Sequence, residues 1–385
     1  MSVRKRSWTS PSGEAKSAWQ ADYTDQTGVR RRETFATKKD ADAFLLKARV
    51  EIGNGVHTAD RASITVADAG TRWIAHCETR GLERTTVDAY RDHVALHINP
   101  YLGNVKLSAL TIPTVTEFQD ALRAAGRSSA MVRKARIALG AILKFSQKRG
   151  LVAQNVVRAL GRDDDQPTER HDNKRTLQIG VDIPTREEMR AVVDSVTGRY
   201  RALLVTATFT GLRASELRGL RWSDLDLKRG ELHVRQRADR FGEMGPPKSK
   251  AGTRTLPLMP MVVSVLREHK LATPTNDLDL VFPNSKGKVD HLNTIAEGWQ
   301  AAQIAAGVVD ANGAAKYPGL HAIRHFFASW CINRRADGGL ELDPKRVQGY
   351  MGHSTIVMTM DVYGHLFPHS DHAAEMADAQ RRWQA

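Results

Sequence analysis

Two cysteines in 385 residues, Cys77 and Cys331, lie far apart in sequence. Such scarcity excludes a disulfide framework and a cysteine-based zinc cluster, and it fits a reducing cytosol. No stretch reaches about 18 consecutive apolar residues, so no membrane span is expected. The basic opening, MSVRKRSW, has no apolar core behind it and does not read as a secretory signal. No acidic cluster marks a magnesium site. The expectation is a protein with no metal and no cofactor.

What the chain does carry is positive charge. Lys and Arg number 57 against 43 Asp and Glu, a formal net charge of +14. That excess speaks about partners, and a polyanion such as nucleic acid is the simplest one. Apolar residues make up 41%, enough for packed cores. The length predicts two or three domains.

Residues 1–58 read as a small unit. Trp8, 18–25 and 30–35 alternate like strands, with a turn over Asp25–Gly28. Thr37 and Asp40 form a capping box, after which Ala41, Phe44, Leu45 and Ala48 mark one helical face. Gly53 to Gly55 end that helix. This sheet with one helix is either a stable appendage or a small DNA-binding domain, with Arg30, Arg31 and Arg32 near a groove.

Residues 64–160 read as all helix. Thr65 and Asp68 open a first segment with the stripe Val66, Ala69, Trp73, Ile74 and Cys77. A second starts near Thr85 or Thr86 and carries Val87, Tyr90 and Val94. A third runs from Thr114 to about Ala125. A fourth spans Ser128 to Arg149, with Val132, Ala135, Leu139, Ile142, Leu143 and Phe145 inside. Between 65 and 160 there are 14 Lys/Arg against 7 Asp/Glu. Arg84, Arg91, Arg127, Arg133, Lys134 and Arg136 are among the basic residues near helix starts or on polar faces. The excess belongs to a solvated bundle or, in a chain this basic, to a clamp that tracks a DNA backbone.

Residues 161–183 read as a linker, and 184–385 as the last domain, opened by a Thr185–Glu188 capping box. In TGLRASEL a helix opens near Arg213, and Glu216 reaches back to it as a structural partner. A small sheet follows. Leu232 and Val234 alternate on one strand, and Thr255, Leu256 and Leu258 lie on the return. Lys248 and Lys250 sit in the turn between, and a hairpin ammonium there can protonate a leaving 5′ oxygen. His321 and Arg324 share one helical face, while the adjacent His325 points about 100° away. His321 and His325 also have metal-pair spacing, without Cys or Asp ligands nearby in sequence. Thr355 to Tyr363 reads as a short helix in which Met358 and Met360 fill core. Tyr363, ten residues after His353, is half-buried packing or a nucleophile. A free phenol is a poor nucleophile, so it needs cations beside it to favour the phenolate or stabilise developing charge. Two arginines on the non-bridging oxygens would stabilise a pentavalent phosphorane.

Together these residues resemble the tyrosine recombinase family, also called phage-type integrases. The family uses an arginine in a GLR-x-x-E segment, a hairpin lysine, an HxxR pair, a histidine or tryptophan, and a tyrosine. In this sequence they fall on Arg213, Lys248, His321, Arg324, His353 and Tyr363, in matching order. KSKAGTR favours Lys248 over Lys250, and Ala322 departs from the usual HDLRH-like segment. The resemblance of 184–368 implies a mixed, mainly helical catalytic domain with a small antiparallel sheet. It makes 64–160 a helical core-binding domain, and 1–58 an arm-type DNA-binding domain of three strands and a helix.

The resemblance further implies a site-specific recombinase acting on double-stranded DNA. Tyr363 would attack the scissile phosphate to form a 3′-phosphotyrosyl link, with strand exchange through a Holliday junction in a homotetramer on two DNA sites. It would integrate or excise a phage or mobile element in a bacterial cytoplasm, at the nucleoid. Core and arm sites, an excision factor and a DNA-bending protein are the implied partners. The tail 370–383, with Ala373, Met376, Ala377 and Trp383 on a stripe, would dock in cis or in trans. A type IB topoisomerase and a non-catalytic sequence-specific DNA-binding regulator are the alternatives.

Overall fold

The computed structural model describes residues 1–25, 28–53, 63–161, 176–367 and 372–384, without the side chains of 372–375. The chain divides into two compact units, Met1–His171 and Asp172–Ala385. Most of the expected linker, 162–175, lies outside the described residues, as do two residues of the turn after Asp25 and the end of the first helix beyond Gly53.

The first unit opens with three antiparallel strands in chain order, β1 (Ser2–Thr9), β2 (Ala15–Thr24) and β3 (Arg30–Phe35). Alternation gives this sheet two unlike faces. Ala21 and Tyr23 point to one face and are buried against Ala41 and Leu45 of α1 (Lys38–Gly53). Thr37 Oγ1 accepts the Asp40 N–H at 3.2 Å, as its spacing predicts. The other face carries Asp22 with its cross-strand neighbour Arg32.

Helices follow: α2 (Val66–Thr79), α3 (Arg84–Asp92), α4 (Asn99–Leu102), α5 (Ile112–Ala124), α6 (Ser129–Lys148) and α7 (Val156–Ala159). The expected stripes of α2 and α6 line one core, with Ile74 at its edge. Two boundaries differ from expectation. The α3 segment continues through a wide π turn, His93–Ile98, into α4. Pro100 brings no N–H and its ring crowds the carbonyl four residues back, so the ladder widens there instead of breaking. Thr111, with Pro113 in the first turn, caps α5 earlier than the expected start at Thr114.

The second unit contains α8 (Arg186–Ser195), α9 (Arg201–Thr210) and α10 (Ala214–Arg218), with the Thr185–Glu188 box closed at both ends. Next come β4 (Leu225–Asp226), β5 (Glu231–Val234), β6 (Arg237–Ala238), β7 (Met244–Gly245) and β8 (Arg254–Pro257). The sheet order is β4-β5-β8, with Leu232 opposite Leu225 and Leu256. Between β5 and β8 the chain adds a separate ribbon, β6 with β7, which alternation over two-residue strands does not reveal. Then come α11 (Pro260–Ala272), α12 (Leu292–Ala305), α13 (His321–Ile332), α14 (Pro344–Met351) and α15 (Ile356–Tyr363). A last helix, α16 (His372–Gln384), closes the described chain. No helix among the described residues is long and apolar enough to cross a membrane.

Candidate active site

The site begins where α9 ends. Gly211 has φ of +59°, and a Cβ there would come within 2.3 Å of Phe327 on α13. Only glycine permits both the left-handed turn and that approach. The turn frees the Gly211 carbonyl, which accepts Arg324 Nη1 at 2.6 Å. Two residues on, Arg213 caps α10. Its backbone N–H donates to Glu216 Oε2 at 2.9 Å, and its Nη1 donates to Oε1 at 2.8 Å.

The α14–α15 turn supplies the opposite wall. Gly352 ends α14 with φ of +60°, and a Cβ there would meet Arg254 Nη1 at 2.8 Å. Arg324 Nη2 donates to the Met351 carbonyl, and Arg213 Nη2 donates to the next carbonyl, Gly352 O, at 3.0 Å. Consecutive carbonyls therefore hold the two guanidinium groups side by side. Arg324 is buried, and its pKa falls to about 9 through desolvation first and the Arg213 charge second. Arg213 keeps a third of its side chain in solvent.

Glu216 holds a second arginine that the sequence did not single out. Arg254 Nη2 donates to Glu216 Oε2 at 2.9 Å, Nη1 to Gly252 O at 2.9 Å, and Nε to Tyr350 O at 2.8 Å. One side chain thus ties together the Arg213 partner, the end of the lysine turn and the helix leading to His353. Burial alone would raise the Glu216 pKa, but the Arg254 and Arg213 contacts outweigh it and hold the carboxyl below its usual range. Its local signal was an arginine in KSKAGTR, indistinguishable there from a solvated one.

His353 follows Gly352 into the interior. Its Nδ1 lies 3.0 Å from Thr359 Oγ1, and its ring is parallel to that of Tyr363, with centroids 6.3 Å apart. Tyr363, the last residue of α15, is 2% exposed. Its hydroxyl lies 2.8 Å from His325 Nδ1. On α13 His325 lies about 100° around from Arg324 and about 40° from His321, and α15 packs on the side to which His325 turns. His321 is exposed, and its ring meets that of His325 edge to face with centroids 4.6 Å apart. Among the described residues, no group of three or more His, Cys, Asp or Glu side chains could hold a metal ion.

Electrostatics in this pocket favour neutral forms. Burial, followed by His321 and Arg324, lowers His325 to about 4. Burial, followed by Arg324, Arg213 and Arg254, does the same for His353. His321 is lowered by its packed surroundings, then by Arg324 and Arg213. Of the cations expected around Tyr363, Arg324 and Arg213 pull the phenol down. Desolvation wins, however, and its pKa rises to about 12. The isolated site therefore holds a protonated phenol.

Two sequence expectations fare differently from the cluster. Lys248 and Lys250 are both exposed in the β7–β8 turn, and neither reaches Tyr363, Arg213 or Arg324 by a hydrogen bond. Met358 and Met360 do not fill core, since they are 45% and 43% exposed. Only Thr359 and Tyr363, four residues apart, face inward from α15, so the flanking methionines fall on its outer side. On α16, Met376, Ala377 and Trp383 are likewise exposed, and the side chain of Ala373 lies outside the described residues.

Comparison with known proteins matches these regions to two families. Residues 185–369 match the phage integrase family, and residues 65–123 match the N-terminal SAM-like domain of phage integrases. The chain is 26% identical over 372 residues to a XerC-like tyrosine recombinase of Caldanaerobacter subterraneus, covering 89% of this chain and 90% of that one. It is 27% identical over 286 residues to the integrase of Mycobacterium phage D29, covering 70% and 72%. In fold it resembles the Tn1549 transposon integrase, with TM-score 0.64 and 20% identity over 83% of this chain and 99% of that chain. It also resembles lambda integrase in a tetramer on a Holliday junction, with TM-score 0.55 and 17% identity over 91% and 95%. The chain belongs to the phage integrase family and is a tyrosine-type site-specific recombinase.

Proposed function

We propose that Tyr363 is the nucleophile that cleaves and rejoins DNA through a 3′-phosphotyrosyl link. The observation that carries this reading is the pairing of Arg213 and Arg324 on consecutive carbonyls next to a buried phenol. Their free N–H edges suit the non-bridging oxygens of a pentavalent phosphorane, where charge develops. The backbone anchors fix them before DNA arrives, so little reorganisation accompanies the reaction. His321 and His353 line the same cluster and stabilise the phosphate. Lys248 acts as the acid for the leaving 5′ oxygen, carried in by movement of its exposed turn on DNA binding. The covalent link stores the energy of the broken bond, so rejoining requires no nucleotide.

Residues 1–58 bind arm-type DNA, residues 64–160 bind the core site, and 184–385 carry the chemistry, with 161–183 as the linker. Four protomers assemble on two core sites and integrate or excise a phage or mobile element at the bacterial nucleoid, with a bending protein and an excision factor as accessory partners. The names of the relatives, a phage integrase and a transposon integrase seen with circular intermediate DNA, support that reading. The exposed stripe of α16 supports docking in trans on a neighbouring protomer.

A nicked suicide substrate tests the chemistry. The wild type should accumulate a covalent protein–DNA adduct, whereas Tyr363→Phe should bind the same DNA and form none. An adduct with Tyr363→Phe would remove Tyr363 from its role. Lys248→Ala should stall cleavage and Lys250→Ala should not; the reverse pattern would move the acid to Lys250.

A further inference from the structure

We propose that His325 Nδ1 accepts the phenol proton of Tyr363 as the phosphotyrosyl bond forms. The inference rests on Tyr363 being the nucleophile.

A phenol cannot attack phosphorus and keep its proton, and burial of Tyr363 limits access by solvent water. The neighbouring groups divide clearly. Arginine offers donors only, so neither Arg213 nor Arg324 can take the proton. His353 presents its ring face-parallel to the phenol, and its Nδ1 is engaged by Thr359. His321 sits at the solvent edge, with its ring against His325 and not against Tyr363. His325 alone among the four histidines of the second unit's α13, α14–α15 turn and α15 end (His321, His325, His353 and His365) has a ring nitrogen at hydrogen-bond distance from the hydroxyl, 2.8 Å. That distance is the reach required of a general base.

The protonation states fit the same assignment. His325 is neutral at physiological pH, so one ring nitrogen is a free acceptor. The assignment makes the phenol O–H the donor in this pair and places the ring proton on Nε2. An incoming phosphodiester adds negative charge beside Arg213 and Arg324, which eases protonation of the imidazole they now oppose.

The step balances. The bond from Tyr363 Oη to phosphorus forms, and the bond from phosphorus to O5′ breaks. The phenol proton passes to His325 Nδ1, and the leaving O5′ takes a proton from the hairpin lysine. In rejoining, a 5′-hydroxyl attacks and returns its proton to that lysine. Tyr363 Oη leaves and recovers its proton from His325.

The test compares His325→Ala and His325→Asn on a suicide duplex and on the same duplex with sulfur replacing the bridging O5′. Sulfur leaves without an acid, so it isolates nucleophile activation from leaving-group protonation. Asn places an oxygen close to the Nδ1 position, so it holds the phenol but cannot take a proton. Both variants should bind DNA as the wild type does and slow single-turnover cleavage by about 10²–10⁴-fold. Sulfur should not restore them, while it should restore Lys248→Ala, and imidazole should partly rescue His325→Ala.

Wild-type cleavage by His325→Asn would reduce His325 to a positioning residue and overturn the proposal, as would restoration of His325→Ala by sulfur. If His325→Ala melts early, His325→Asn decides alone. An adduct with Tyr363→Phe would refute the nucleophile itself. Loss of the adduct there with full activity in both His325 variants would refute only the proton transfer.

Discussion

Asp22 and Glu216 are both buried carboxylates that hold several arginines, yet the arginines end on opposite sides of the solvent boundary. Asp22 sits under Arg4, Arg30 and Arg32, at 3.1, 4.0 and 3.1 Å, and each of these side chains is more than half exposed. Glu216 holds Arg254, which is 6% exposed, and Arg213, which is a third exposed. The strand register explains the first arrangement, because it fans long side chains from one sheet face into water. Two left-handed glycine turns explain the second, because they bring carbonyls and arginines together inside. Exposed guanidinium groups suit an external polyanion that comes and goes. Buried, anchored ones suit charge that exists only during a reaction.

The comparison is sharpened first by removing each carboxylate's charge. Glu216→Gln leaves Arg254 buried without its partner and should cost about 3–5 kcal/mol in urea unfolding. Asp22→Asn leaves its arginines solvated and should cost less than about 1 kcal/mol. Equal costs would erase the distinction. Next in size, Arg213→Ala should reduce cleavage by about 10²–10³-fold while DNA binding persists. Loss of binding in proportion to cleavage would make Arg213 a simple phosphate contact.

A pH titration probes the buried side alone. His353 titrates near 4 when folded and near 6.5 when unfolded, so the unfolded chain binds the proton first. Stability should therefore be unaffected by this group above pH 6.5 and fall as pH drops toward 4, by roughly 3 kcal/mol over the window. His353→Gln should lessen the loss over that window without abolishing it, because His325 is shifted over the same range, and an unchanged slope would contradict the burial argument. The smallest effect belongs to the sheet. Arg30→Ala should weaken arm-DNA binding and lower the salt slope by about one. Its cleavage rate on saturated core DNA should stay at the wild-type value.

Local signals carried most of the fold and part of the site. Caps at Thr37, Thr65 and Thr185 depend on residues three apart, so spacing alone exposes them. The stripes of α2 and α6 are legible because each helix buries a single face. Glu216 was legible as the Arg213 partner for the same reason. What stayed hidden depends on partners far along the chain. Arg254 acquires its role only when Tyr350 and Glu216 arrive from other elements. His325 looked turned away from the site until α15 supplied a phenol on that side. Met358 and Met360 were misjudged because a methionine-rich helix carries no marker of which face it buries.

The most direct measurement of the central claim is the identity of the residue joined to DNA. The adduct trapped on a suicide substrate can be digested with protease and nuclease, and the nucleotide-bearing peptide sequenced by mass spectrometry. The account predicts a single modified residue, Tyr363, esterified to a 3′ phosphate. Modification of any other side chain, or attachment to a 5′ phosphate, would contradict it.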